Sequence, residues 1–152
     1  MPTTPVPRQP APSLSVPLVG GGTWILADQT PETFTLIVFY RGLHCPVCKR
    51  YLQSLAELQA EYAEIGVEAV AISMDSEVRA RKARMGWDTG AVPIGHSLSA
   101  NTARAWGLYL SEAVKEGEPD LFSEPGLFLV RPDGTLYYAA INSEPWGRPY
   151  LP

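Results

Sequence analysis

The sequence predicts an α/β domain: a central β-sheet of mixed strand direction with helices on both faces. Three observations lead there. Short apolar runs rich in aromatic and β-branched residues, such as Phe34-Thr35-Leu36-Ile37-Val38-Phe39-Tyr40, alternate with amphipathic helical stretches. Arg131-Pro132-Asp133-Gly134-Thr135 separates two further apolar runs and reads as a hairpin turn, so the sheet cannot be purely parallel. The chain has 152 residues, enough for one domain with one sizeable core.

The elements follow in order. Residues 1–13 hold five prolines and read as an extended N-terminal arm. Runs 14–18 and 23–26 flank Gly20-Gly21-Gly22 and form a β-hairpin extension. Phe34 to Tyr40 is the buried central strand. A helix is expected from about Pro46 to Ile65, with Tyr51, Leu55, Leu58 and Tyr62 as its apolar stripe and Gly66 as its stop. Residues 67–74 form the next buried strand. Ser76 caps a second helix that carries Arg79, Arg81, Lys82 and Arg84, a solvated face, and ends near Gly86. Val92-Pro93-Ile94 is a short strand. Ser99 caps a third helix carrying Ala103, Trp106 and Leu110. Residues 111–124 are polar and aperiodic, an inserted loop or short helix. Residues 127–130 and 136–141 close the sheet as an antiparallel hairpin. The domain therefore spans 14–142, and residues 143–152 form an irregular tail, too rich in proline for a helix.

Composition narrows the function classes. An apolar content of 45% with 18% charged residues is that of a folded chain rather than a disordered one. The net charge of −4, with both signs interspersed, offers no basic patch for nucleic acid. No apolar run approaches the roughly 20 residues that span a bilayer. The proline-rich start has no apolar segment of a signal peptide, so a cytoplasmic location is expected. In that reducing setting a pair of cysteines is more readily catalytic than a structural staple.

The pair is Cys45-Pro46-Val47-Cys48, the chain's only two cysteines, at a strand-to-helix junction. Pro46 suits the first helical position, where no N–H is needed. Cys45 then falls at the helix N-cap, facing free backbone N–H groups and the positive end of the helix dipole, which favour thiolate. Cys48 lies one turn inward and should be shielded. An exposed, activated Cys45 that attacks and a buried Cys48 that resolves make a dithiol–disulfide switch. Two alternatives stand beside it. The cysteines could be ordinary buried residues, or a zinc site could use both with His44 and His96, which would need all four to meet. His44 either tunes the thiolate or is an exposed loop residue, and Arg41 holds an anionic group, stabilises thiolate or forms a surface ion pair. His96 reads as a loop residue, and Asp75 as a cap of the turn after its strand. The four tryptophans, Trp24, Trp87, Trp106 and Trp146, read as core or rim.

Four segments in order resemble the AhpC/TSA (peroxiredoxin-like) branch of the thioredoxin-like superfamily, over about residues 12–142. They are the Phe39–Lys49 stretch around the CxxC motif, Ala71-Ile72-Ser73-Met74-Asp75-Ser76, Ala103-Arg104-Ala105-Trp106-Gly107-Leu108, and Gly126-Leu127-Phe128-Leu129-Val130-Arg131-Pro132-Asp133-Gly134. The resemblance implies a thioredoxin-like fold and antioxidant or thiol–disulfide chemistry with no metal or organic cofactor. It also implies a protein or small-molecule disulfide substrate, and electrons from a thiol reductant system.

The departures favour one branch. Aligned on Phe39-Tyr40, Arg41 stands where peroxiredoxins carry proline, Cys45 where they carry threonine or serine, and Cys48 where their peroxidatic cysteine lies. Pro125 stands where their peroxide-activating arginine usually lies. Peroxide cleavage needs donors aimed at both oxygens, so thiol–disulfide exchange is the leading expectation. A thiol peroxidase with Cys48 peroxidatic and Cys45 resolving is the alternative, and a non-catalytic redox sensor the third. Pro125 instead matches the cis-proline of thioredoxin-type oxidoreductases, which exposes backbone for a substrate strand. Thioredoxin's buried aspartate corresponds to Val38 here, so no proton acceptor is visible for Cys48. The site residues expected to act are Cys45, Cys48, Pro125 and Arg41. Thioredoxin folds usually end in a helix on the sheet, and none follows Ile141. An uncovered apolar face would be sticky, so a homodimer is expected.

Overall fold

In the computed structural model, which describes residues 4–144 and 148–151, the chain runs β1 (Ser15–Pro17), β2 (Thr23–Ile25), a 3-10 turn (Leu26–Asp28), β3 (Phe34–Phe39), α1 (Pro46–Glu64), β4 (Val67–Ile72), α2 (Glu77–Trp87), β5 (Ile94–Gly95), α3 (Ala100–Ala105), β6 (Leu110–Glu112), β7 (Leu121–Ser123), β8 (Gly126–Val130) and β9 (Leu136–Ile141). The main sheet has the order β5-β4-β3-β8-β9. β3 and β4 are parallel, as are β4 and β5, while β8 runs antiparallel to both β3 and β9. This is the mixed sheet of a thioredoxin-like fold.

Alternation along β3 divides the core in two. Leu36 and Val38, continued by Tyr40, face α1 and α2 and pack with Cys48, Leu52, Leu55, Ala80, Ala83 and Trp87. Ile37 and Phe39 face the other way, toward Trp24, Leu98, Trp106 and Phe128. Trp24, Trp87 and Trp106 are therefore core residues, and Trp106 is fully buried. Trp146 lies outside the described residues.

The α1 boundaries have local causes. Pro46 opens it, and Cys45 is its N-cap, with extended backbone and a sulfur that accepts the Cys48 N–H. Gly66 closes it at φ +81°, where a Cβ would meet the Thr33 hydroxyl at 2.6 Å. The buried stripe is Cys48, Leu52 and Leu55, while Tyr51, Leu58 and Tyr62 are half-buried at its margins. α2 is capped by Ser76 as expected, but it runs through Gly86 and ends at Asp88, which adopts the left-handed conformation. Its basic residues are partly tied down. Arg79 meets Asp75 at 3.2 Å, Arg84 donates to the Val19 carbonyl, and Arg81 pairs with Glu77.

Three expectations change. α3 stops at Ala105, because Gly107 at φ +74° turns the chain, and Leu110 begins β6. Residues 111–124 hold a loop, 113–120, as one of the two readings expected, but it is the end of a β-hairpin, β6 antiparallel to β7. Its polar residues hid the alternation because one face of the hairpin covers a charged site. The N-terminal arm, expected only to be extended, is docked: Ala11 N–H donates to the Gly134 carbonyl, Arg8 N–H to the Leu136 carbonyl, and Leu136 N–H to the Gln9 carbonyl.

The arm lies on the Trp106 side of the sheet, where Trp106 Nε1 donates to the Ser13 carbonyl. The other face, where a terminal helix would pack, carries residues 148–151. Tyr51 and Tyr62 of α1 donate their hydroxyls to the carbonyls of Pro149 and Leu151, each at 2.6 Å. Leu151 packs on the core cluster that holds Leu36 and Leu127.

The position of the stripe gives a direct test. Leu55→Ala should lower unfolding free energy by about 2–5 kcal/mol in a denaturant titration. Leu58→Ala, at the half-buried margin, should cost clearly less; equal losses would mean that the helix is rotated from this register.

Candidate active site

The loop between β3 and α1 is held from below by Asp75. This carboxylate is buried, accepts Leu43 N–H at 2.8 Å and bonds Arg79 Nε at 3.2 Å. It also sits under Gly42, whose φ is +135° and whose missing Cβ would lie 2.6 Å from Asp75 Oδ1. Glycine is required there both by the backbone conformation and by the close approach. Asp75 is therefore more than a turn cap: it sets the path of residues 41–44 into the N-cap.

Both cysteines are free thiols. Cys48 is fully buried, as expected. Cys45 is only 1% exposed, which corrects the expectation of an open nucleophile. Arg148, which no sequence motif marks, lies against both sulfurs. Its Nη2 lies 2.8 Å from Cys48 Sγ and 3.8 Å from Cys45 Sγ. Cys45 Sγ accepts the Cys48 N–H at 3.3 Å, and Cys48 Sγ accepts the Arg41 N–H at 3.3 Å.

These contacts split the two sulfurs. The Cys45 thiol is lowered to about 5, chiefly by a hydrogen bond from the Cys48 thiol, helped by the Cys48 backbone N–H and the Arg41 and Arg148 guanidiniums, against the opposing effect of burial. Cys48 is pushed up, first by burial and then by its donation to Cys45, although Arg148 works the other way. Cys45 is the thiolate and Cys48 the thiol.

Arg41 faces Cys45 and is itself fixed by Glu124, which is 2% exposed and accepts Arg41 Nε at 2.8 and 3.2 Å. Ser111 donates to the same carboxylate. Phe122 of β7 lies under the Arg41 guanidinium at 4.8 Å and against the His44 ring at 4.6 Å. His44 is no exposed loop residue. Its side chain is 6% exposed, lies 3.9 Å from Glu118 and is held toward neutrality by burial and by the Arg41 charge. The β6–β7 hairpin thus contributes Phe122, Ser111, Glu118 and Glu124. Glu124 could have been noticed only as a carboxylate next to Pro125.

Pro125 is beside the site but not in the expected form. No peptide bond is cis among the described residues. The chain enters β8 directly from β7, with Glu124 N–H donating to the Tyr109 carbonyl and the Pro125 carbonyl accepting Asn142 N–H. These pairings extend the strand through the proline and occupy backbone that a substrate strand was expected to use. His96 is buried near Ser97 and pairs with its hydroxyl at 2.7 Å. Among the described residues no group of three or more His, Cys, Asp or Glu is placed to hold a metal. No described helix is long and apolar enough to cross a membrane.

A β-strand leading into a helix capped by the first cysteine of a CxxC pair, on this sheet, defines a thioredoxin-like redox protein. The family model of AhpC/TSA matches residues 7–139, and the chain belongs to that family. Solved structures share the fold. A peroxiredoxin-like protein from Aquifex aeolicus aligns with a TM-score of 0.75 at 17% identity, covering 93% of this chain and 79% of its own. Peroxidoxin BcpB from Mycobacterium tuberculosis gives 0.75 at 16% identity, over 91% and 86% of the two chains. A protein from Chlorobium tepidum described as a candidate thiol:disulfide interchange protein DsbE gives 0.70 at 20% identity, over 91% and 86%. No curated protein matches the sequence.

The depressed Cys45 value sets a pH dependence. Thiolate absorbance of the reduced protein should rise with a midpoint near 5, against about 8.5 for a free cysteine. The stabilisation this lends the reduced fold is complete above the unfolded value and is lost as pH falls through the folded one. In Cys48→Ala the hydrogen-bond donor is gone, so the midpoint should move up; an unchanged midpoint would remove Cys48 as the main cause.

Proposed function

We propose that this protein is a thiol–disulfide oxidoreductase in which Cys45 attacks a disulfide substrate and Cys48 resolves the mixed disulfide. The observation that carries the reading is the split between the sulfurs: the thiolate is the N-cap cysteine, and the thiol is the one a turn inside. Exchange requires that order, since the attacking group must be thiolate and the resolving group must wait. Because Cys45 is covered, attack requires the side chains over it to move aside.

The chemistry is a two-electron exchange. Cys45 thiolate attacks one substrate sulfur, and the other leaves as thiolate and takes a proton from water. Cys48 loses its proton and attacks Cys45 Sγ; the Cys45–Cys48 bond forms, and the second substrate thiol leaves. A thiol reductant resets the pair. The likeness to the Chlorobium tepidum protein agrees with this reading without choosing a substrate.

A peroxidase reading has one specific support, the Arg148 guanidinium at Cys48, which aligns with the peroxidatic position. Against it, Cys48 is fully buried and held as thiol, and Cys45 replaces the hydroxyl that would bind peroxide.

Single-cysteine variants separate the two. Cys48→Ser should still capture a disulfide substrate as a stable mixed disulfide, and Cys45→Ser should not. Reduced wild-type protein should react with hydrogen peroxide no faster than a free thiol. Sulfenic acid accumulating rapidly at Cys48 in Cys45→Ser would replace this reading with the peroxidase.

Stabilising the Cys45 thiolate favours the reduced pair, so the disulfide should be oxidising. Equilibration with a glutathione buffer should place it above thioredoxin's about −270 mV, and Arg41→Met should move it to a more negative potential.

A further inference from the structure

Resolution is the step that this site makes difficult. Cys48 must become a thiolate in a fully buried position, and burial of an unpaired charge is unfavourable. Val38, where a buried carboxylate could have accepted the proton, is apolar and packed among core residues. The Arg41 N–H donates to Cys48 Sγ but brings no charge of its own. The Arg41 guanidinium is held by Glu124 on the Cys45 side. The cation in direct contact with Cys48 is Arg148.

Arg148 is well placed to stay there. Its guanidinium carbon lies 5.3 Å over the Tyr51 ring, a cation–π contact. The Tyr51 hydroxyl bonds the next residue's carbonyl, at Pro149, and Tyr62 bonds Leu151 two residues beyond that. Both tyrosines belong to α1, the helix whose first turn carries Cys48. The segment is therefore tied to the same rigid element as the sulfur it touches.

The contact is also asymmetric. Nη2 is 2.8 Å from Cys48 and 3.8 Å from Cys45. In the reduced protein the nearby Cys45 thiolate disfavours a second negative sulfur. Once Cys45 is bonded to substrate, its charge is gone, and Cys48 is the sulfur left for the guanidinium to stabilise.

We propose that Arg148 is a catalytic residue of the second half-reaction, its guanidinium stabilising the Cys48 thiolate that attacks the Cys45–substrate disulfide. This rests on the oxidoreductase reading above. The balance is that of ordinary exchange. The Cys48 proton goes to water, the Cys48 electron pair forms the bond to Cys45 Sγ, and the substrate sulfur leaves with the electrons of the broken bond. Arg148 forms no covalent bond and keeps its proton. In this arrangement the charge comes from a C-terminal segment, whereas Cys45 draws chiefly on the loop and helix around it.

The test uses full-length reduced protein and the chromogenic disulfide of thionitrobenzoate, which reports each half-reaction by one released thiol. The first release is second-order and belongs to Cys45; the next is first-order and belongs to Cys48. Arg148→Met should slow the second release by about 10–100-fold, the effect of one charge-assisted hydrogen bond, and change the first, whose thiolate Arg148 also supports from farther away, by a clearly smaller factor. Arg148→Lys keeps the charge and should recover the second release to within about tenfold of wild type. An Arg148→Met protein whose second release is unchanged overturns the proposal. So does equal slowing of both releases, or a Lys variant no faster than Met. If wild-type protein gives the first release and never the second, Cys48 does not resolve, and the oxidoreductase reading falls with the role of Arg148.

Discussion

The arrangement depends on keeping a negative sulfur inside a protein. A thiolate at Cys45, almost wholly shielded from water, needs donors and positive charge in fixed places. The helix end supplies the Cys48 N–H and the dipole, Cys48 supplies its thiol, and Arg41 and Arg148 supply charge. Each provision creates another need. Arg41 is itself largely buried, so Glu124 answers it from just after β7, and Ser111 answers Glu124. The β6–β7 hairpin exists in this position to carry that counter-charge and to place Phe122 under the guanidinium.

Geometry at the loop makes these contacts repeatable. Asp75 accepts from the loop backbone and fills the space that a side chain at position 42 would need. A wider loop would let Arg41 swing from Glu124, and the thiolate would lose a cation. Rigid positioning of this kind lets two chemically identical thiols differ: burial raises both, while the hydrogen bond between them lowers Cys45 and raises Cys48.

The family includes peroxide chemistry and the fold includes disulfide exchange, and this site has parts of each. The cation at Cys48 belongs to the logic of a peroxidatic cysteine, while the thiolate at Cys45 belongs to the logic of a CxxC nucleophile. What separates them is which sulfur holds the charge before substrate arrives. Here the helix N-cap and the neighbouring thiol outweigh the closer guanidinium, and the lowered thiol is that of Cys45, which is the order the proposed exchange needs.

The sequence by itself determined the parts that are local. Alternation in β3, proline at the first helical position and glycine after α1 are short-range constraints, and they alone put Cys45 at a helix N-cap over a core with Cys48 inside it. The mixed strand direction followed from the turn signature, and the thioredoxin-like fold from the resemblance. The tertiary structure alone decided what touches the sulfurs. Arg148 reaches Cys48 across 100 residues, from a segment with no periodicity to mark it. Glu124 meets Arg41 across 83 residues, from a hairpin whose polar sequence resembles a loop. The burial of Cys45 has the same origin. It depends on segments packed from elsewhere in the chain, and such long-range contacts follow from the whole packing rather than from neighbours in sequence.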